Sequence, residues 1–464
     1  CRDGLHLCAR RVDRESRPAQ HHFVDNEKII NDVMGSSLRV LNKIADSPLV
    51  ERFGLEDKAQ KLVYEGARRA AETAARAAKR LSGKRSSERP RRSKKFDLSL
   101  SEEQQLMRDT LRRFAEESMQ PAAREADDHC APPDEIIETF AELGAVAMSV
   151  PEALGGEAER VSAVSQMLIA EDLARGDMGL AYAALAPLSF ANALVHWGSE
   201  EQRASLLPPL LDGTAGSASL AVVEPHPLFD PHALRTSAKK RGSEYVLSGE
   251  KSMVALASRA SRFLVAADVP KAGPRFFIVE RDAAGVEVVD EPAMGLRSAG
   301  LGRLKLDKVR LEPKSILGGE DSLKGQGGDA YHDAVQRARV AWGAMAVGTA
   351  QALLDYVIPY CNDRVAFGEP ISHRQAVAFM IADIGIELES MRMLVYRAAG
   401  RIDAGLDFQR ESYLARTLCA EKAMEIGTNG VQLLGGAGFI KDHPVEIWYR
   451  QLRSIAVMDG NLLL

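Results

Sequence analysis

A mainly helical fold interrupted by one small antiparallel β domain is what this sequence predicts, on three observations. Apolar residues recur at helical spacing from about residue 96 to 211 and again from about 329 onward. Between them, in residues 216–312, SASLAVV, EYVLSG, RFLVAA, RFFIVE, VEVV and GRLKLDKVRL are short β-branched or alternating runs separated by Gly, Pro and Asp. The composition, 45% hydrophobic and 27% charged over 464 residues, is that of a globular chain long enough to bury a large core.

The elements follow in order. Residues 1–25 are polar and rich in Arg and His, and are expected to be disordered. From Asn26 to about Leu81 the pattern is helical, with Ile29, Ile30, Val33, Leu38, Leu41 and Ile44 on one face and Asp46-Ser47-Pro48 as a stop. Residues 81–95, LSGKRSSERPRRSKK, read as a solvated basic linker. The sharper alternative for 79–95 is an electrostatic contact with anionic lipid or a partner. After Phe96, Ser99 or Ser101 can cap a helix whose first turn carries Glu102 and Glu103. PPDE (132–135) and VPEALGG (150–156) break the helical run. In RLKLDKVRL, Leu304 and Leu306 share a face, and Val309 and Leu311 resume it one residue out of step, which predicts a bulge. Val340, Met345, Val347, Leu353 and Val357, then Val377, Met380, Ile381, Ile384, Leu388, Met391 and Val395, mark long amphipathic helices of an antiparallel bundle. The boundaries expected are an N-terminal extension (1–95), a helical domain (96–215), a β domain (216–325) and a helical bundle (326–464).

Several function classes drop out. A net charge of −5 gives no basic field for nucleic acid. Cys1, Cys8, Cys130, Cys361 and Cys419 are scattered without CxxC spacing, which fits a reducing compartment and neither a zinc site nor a disulfide framework. The N-terminus has no apolar core of a secretory signal, and no transmembrane helix is expected. A cytoplasmic location is the expectation, and no metal site.

Five segments then carry a resemblance: LGAVAMSVPEALGG (143–156), AEDLARGDMGLAYA (170–183), MGLRSAGLGRLKLDKVRLEPKSILG (294–318), DRVAFGEPISHRQAVAFMIADI (363–384) and VQLLGGAGFIKDHPVEIWYRQLR (431–453). In this order and at these spacings, residues 96–464 resemble the acyl-CoA dehydrogenase family. The resemblance implies an N-terminal helical domain, a central β domain and a C-terminal four-helix bundle. It implies FAD as cofactor, an acyl-CoA substrate, an electron-transfer flavoprotein as electron acceptor, and a homodimer or homotetramer.

The family's roles carry over residue by residue. Arg364, Phe367 and Gln375 match the stretch that reaches the FAD diphosphate and adenine across a dimer interface, and an arginine fork suits phosphate. Gln432, Gly435 and Gly436 match the partner subunit's flavin clamp, where glycine allows close backbone approach. The family's T-E-P--GSD stretch reads Val223-Glu224-Pro225-His226-Pro227-Leu228-Phe229-Asp230 here, so two hydroxyls are lost; the EP-PLFDP variant is similar to an actinobacterial subgroup. Its K--WIT stretch reads Lys251-Ser252-Met253-Val254-Ala255. The resemblance therefore leaves the flavin to be met by Val222, Val223, Glu224 and Ala255, with backbone N–H groups at Val223 and Ala255 in place of the lost side chains.

The base slot, Glu-Gly-Thr in many members, falls on Asp459-Gly460-Asn461, which makes Asp459 the candidate base and adds Asn461 to the flavin contacts. Burial in a dry cavity raises a carboxylate toward useful basicity. The alternative base slot of some members is Ala338 here. Arg339 beside it matches a family arginine that positions the base or the CoA. AYAALAP (181–187) either leaves room for a long or branched acyl tail or packs helices. Two other readings remain: a nitroalkane-oxidase-like flavoenzyme, since those relatives use Asp as base, and a flavin-poor, non-catalytic partner subunit, motivated by Val223, Phe229 and Ala255.

Overall fold

The computed structural model describes residues 99–213, 217–323 and 327–463. The extension and basic linker of the sequence reading lie outside them. Helix α1 (Glu102–Phe114) starts at Ser101, which accepts from the Gln104 backbone while the Gln104 side chain returns to the Ser101 N–H. This reciprocal cap satisfies two amides that a helix start leaves unpaired. A π-turn (Ala115–Met119) leads into α2 (Gln120–His129), which stops where Cys130 turns left-handed just before PPDE. Then come α3 (Asp134–Glu142), α4 (Ala145–Ser149), α5 (Ala163–Gly176), α6 (Met178–Trp197) and α7 (Glu200–Leu211).

Seven strands make one sheet: β1 (Ser217–Ala221), β2 (Ser237–Arg241), β3 (Glu244–Val254), β4 (Ala260–Val269), β5 (Gly273–Glu280), β6 (Val286–Asp290) and β7 (Gly302–Leu311). Their order is β1-β4-β2-β3-β7-β6, with β5 on β4. The expected antiparallel domain is in fact mixed, because β1 pairs with β4 in parallel. The β2–β3 hairpin lies between them in sequence and brings the chain back in the same direction. Alternation reports which face a residue takes, not which way its neighbour runs. Strand β2, SAKKR, is polar along most of its length and gives no such signal. The bulge in β7 is present. Leu247 pairs with Val309 and Gly249 with Leu306, so β7 carries one extra residue, and Lys308 sits at φ 53°.

The bundle consists of α8 (Gly327–Asp363), α9 (Gln375–Asp403), α10 (Gln409–Leu434) and α11 (Val445–Ser454), with a short hairpin, β8 (Val365–Ala366) and β9 (Glu369–Pro370), between α8 and α9. The residues read as the apolar face of α8, Val340 through Val357, are buried, as are Ile384, Leu388, Met391 and Val395 of α9. One core runs through α1–α6 and the bundle, a second joins α6 and α7 to β1, β4 and β5, and a third fills the β domain. Helix α5 lies close against α8, where a Cβ at Gly348 would fall on the Glu171 carbonyl. Among the described residues α6 is long and apolar enough to cross a membrane, contrary to the sequence reading, but 89% of its apolar window is buried within the protein. Ala181, Ala183, Ala184 and Ala186 of α6 pack in the main core, the helix-packing option of the two read for AYAALAP.

Candidate active site

The candidate residues fall into two groups. The first lies where the bundle meets the β domain. After α11 the chain enters this junction as the segment Asp459–Leu463, all of it buried. Asp459 meets Arg339 of α8 in a two-point ion pair, Nε to Oδ1 at 3.0 Å and Nη2 to Oδ2 at 2.8 Å. Both carboxylate oxygens are thus engaged by the planar fork, the geometry that suits Arg and not Lys. Arg416 of α10 lies in the same electrostatic neighbourhood, and burial lowers its basicity, with Arg339 adding to the effect and Asp459 opposing it. His232 also feels Arg339 and Asp459, and its ring lies 5.0 Å from that of His332.

Next to this pair, Asn461 spans two strands. Its Oδ1 accepts from the Val222 and Val223 amides, the second at 3.0 Å, and its Nδ2 donates to the carbonyls of Ser252 (3.1 Å) and Met253 (3.0 Å). The Tyr182 hydroxyl donates to the Met253 carbonyl at 2.9 Å; burial raises its pKa, and the nearby Ala255 amide opposes the rise. Asn461 thus engages the Val222 and Val223 amides from within the chain, and the Ala255 amide lies near the Tyr182 hydroxyl. Trp342 of α8 packs on Tyr182 with ring centroids 4.9 Å apart and donates its indole N–H to the Gly460 carbonyl at 2.8 Å.

Glu224 has a different part from the one its motif suggested. Its carboxylate accepts from the Arg235 and Thr236 amides and from Lys251 Nζ at 2.9 Å. Burial pushes this carboxyl up, but Lys251 and the two amides outweigh it and hold it at about 2. Burial likewise pushes Lys251 down to about 8, with Glu224 opposing. The pair ties the chain after β1 to β2 and β3, and Lys251 also donates to the Val222 carbonyl at 3.0 Å, which fixes the strand edge that carries the amides. The loop that follows is strapped to α8: Tyr331 donates to the Pro231 carbonyl at 2.7 Å, and Phe229 packs in the core shared by α6, α7 and the sheet.

The second group sits at the other end of α8 and in the helices after it. The Arg364 amide takes the Tyr360 carbonyl at 2.9 Å, and Tyr360 Oη reaches the Leu434 carbonyl at 3.5 Å, so the β8–β9 hairpin and the glycine turn after α10 lie together. Arg364, Gln375, Gln432, Gly435 and Gly436 are exposed, and Phe367 is 97% exposed with the Arg374 guanidinium 6.0 Å from its ring centre. Gly435 has φ +58°, which requires glycine; among the described residues nothing comes within 4 Å of where a Cβ would sit on either glycine. Exposed glycines, an exposed arginine and a bare aromatic suit a surface that another molecule covers.

Sequence reasoning missed Tyr182, Trp342, Arg416 and Lys251 as site residues. The first three lie on helical faces, where spacing gives a buried residue no mark that separates it from plain core.

Comparison with known proteins agrees with this geometry. Profiles of the acyl-CoA dehydrogenase N-terminal, middle and C-terminal domains match residues 101–214, 219–309 and 325–462. An acyl-CoA dehydrogenase of Bacillus subtilis is 30% identical over 372 residues, 78% of this chain and 96% of that protein. The rat mitochondrial short/branched chain specific acyl-CoA dehydrogenase is 30% identical over 368 residues, covering 78% of this chain and 83% of the relative. Butyryl-CoA dehydrogenase from Megasphaera elsdenii superposes with a TM-score of 0.71 at 28% identity, over 79% of this chain and 96% of that one. A glutaryl-CoA dehydrogenase in complex with glutaryl-CoA gives 0.71 at 27%, over 79% and 93%. The chain belongs to the acyl-CoA dehydrogenase family, whose members are FAD-dependent oxidoreductases.

The residues present fit that cofactor chemically. The amides of Val222, Val223 and Ala255 and the carbonyls of Ser252 and Met253 are a fixed row of donors and acceptors, matching the alternating acceptors and donor along a flavin's pyrimidine edge.

Proposed function

We propose that this chain dehydrogenates an acyl-CoA thioester between its α and β carbons to give a 2-enoyl-CoA, with Asp459 as the base. The observation that carries the reading is the buried Asp459–Arg339 pair at the junction of bundle and β domain, beside the row of strand-edge groups. Asp459 takes the α-proton. Arg339 holds both of its oxygens, so the base is free only when the thioester or its pantetheine arm draws the guanidinium aside, and the substrate thereby readies its own base. FAD, when bound, supplies the hydride acceptor. Arg339 and Arg416 place positive charge where the thioester oxygen gains negative charge as the proton leaves. An electron-transfer flavoprotein is the proposed electron acceptor, and the cytoplasm the proposed location. Arg364, Phe367, Gln375, Gln432, Gly435 and Gly436 complete the cofactor site of a second copy, which makes the functional unit a homodimer or a pair of them.

The test is anaerobic bleaching of the flavin band by a panel of straight and branched acyl-CoAs. Asp459→Asn is expected to keep the band and lose the bleaching rate by about a hundred-fold or more. A variant that bleaches at the wild-type rate removes Asp459 from the base role. Bleaching by nitroalkanes without CoA would move the chain to the nitroalkane-oxidase-like reading.

A further inference from the structure

The row of groups that suits a flavin edge is already satisfied from within. Asn461 is fully buried, and a primary carboxamide presents one acceptor oxygen beside one donor nitrogen, the same alternation as a carbonyl next to the ring N–H of a flavin pyrimidine. Its oxygen faces the Val222 and Val223 amides and its nitrogen faces the Ser252 and Met253 carbonyls, so one side chain meets four backbone groups. The fifth, the Ala255 amide, lies near the Tyr182 hydroxyl, which donates to the Met253 carbonyl. The backbone is bent to deliver the amide: Asn461 has φ 56° and Gly460 φ 100°. A left-handed non-glycine residue is an unfavourable conformation that its surroundings must offset. Here the four side-chain bonds, the Trp342 bond to the Gly460 carbonyl, and the burial of Leu462 and Leu463 do so. Leu463 is held further by the Ser189 hydroxyl, which its amide meets at 3.0 Å.

We infer that Asn461 is an internal stand-in for the flavin edge, and that FAD loading exchanges the segment Asn461–Leu463 for the cofactor. Two groups cannot occupy one set of donors and acceptors, so the two states exclude each other. The exchange turns on Gly460, whose backbone needs no side chain to be accommodated. Asp459, on the near side of that glycine, keeps its Arg339 contact while Asn461 leaves. The cofactor's affinity is lowered by whatever free energy holds the segment in place, and a second copy covering the clamp residues would add the contacts that win the exchange. The inference rests on the FAD-dependent reading.

The full-length chain, stripped of flavin, is titrated with FAD by quenching of flavin fluorescence, and amide hydrogen exchange of residues 461–463 is followed in parallel. Asn461→Ala removes the stand-in and leaves the strand groups for the cofactor; it is expected to bind FAD at least ten-fold more tightly than wild type. Gly460→Ala gives an independent route, since its Cβ would meet Val222 Cγ1 at 2.5 Å and push the segment out, and it should shift affinity in the same direction. In the wild type, exchange at 461–463 should rise as FAD saturates. Weaker FAD binding by Asn461→Ala overturns the inference, because the side chain is then a flavin ligand. Tight wild-type uptake with 461–463 still protected overturns it while the dehydrogenase reading stands. Failure of both variants to take up FAD, although exchange shows the segment released, overturns it together with the FAD-dependent reading.

Discussion

Replacing Lys251 by Met tests whether the buried Lys251–Glu224 pair holds the strand edge on which the site depends. The two side chains are 0% and 2% exposed, so neither has water to fall back on. Lys251→Met keeps an unbranched side chain, one atom shorter, and removes the charge, leaving Glu224 with the Arg235 and Thr236 amides and with the His226 ring at 3.3 Å. Breaking a buried pair from one side costs about 3–5 kcal/mol, and the partners that remain on Glu224 put the expected loss near the lower end. Glu224→Gln, which strands a buried ammonium, should cost a similar amount. The double variant removes both charges, so its loss should fall short of the sum by at least about 1.5 kcal/mol. Urea denaturation with amide exchange of β1 and β3 measures all four corners. Acid adds an independent sign. Glu224 is held at about 2 in the folded chain, below its ordinary 4.5, so its contribution is complete above pH 4.5 and is lost as pH falls toward 2. That loss amounts to about 3 kcal/mol and should shrink in Lys251→Met. Additivity of the two single losses within about 0.5 kcal/mol would refute the argument, since independent sites add to that precision.

Two further outcomes are expected. His196 is held near 3 by burial, with Arg337 and Arg203 adding to it, and among the described residues its Nε2 has no partner. Only the unfolded chain takes its proton between about 6.5 and 3, so stability should fall as pH drops through that range, by about 2 kcal/mol at pH 5; a thermal-melt series in which His196→Leu shows the same slope as wild type would remove His196 as the cause. On α9, Phe379, Ile386 and Met393 recur every seven residues on the outer face and are 59%, 63% and 38% exposed. Ile386→Glu should convert a dimer to monomer in sedimentation and loosen FAD, and an unchanged sedimentation coefficient would exclude this face as the interface.

Much of this protein can be read along the chain. The Ser101 cap, the stop before Asp134, the β7 bulge and the buried face of α8 follow from local rules, because caps, bulges and amphipathic stripes are set by residues a few positions apart. The family motifs also name Asp459, Arg339, Val222, Val223 and Asn461 one by one. What they leave open is how those residues meet. The sequence reading assigned Glu224 to the cofactor, whereas the folded chain spends its carboxylate on Lys251 and two amides.

The parallel β1–β4 pair, the Arg339–Asp459 pair 120 residues apart and the Asn461–Val222 contact 239 residues apart were settled by the tertiary structure. Periodicity states which side of an element is buried and a motif states which residue types are present. Neither says which polar groups face each other once water is excluded. Buried donors and acceptors at the junction of bundle and sheet compete for partners, and only the packing of all the elements together determines that Asn461, brought in by the chain after α11, is the one that meets the amides just past the end of β1.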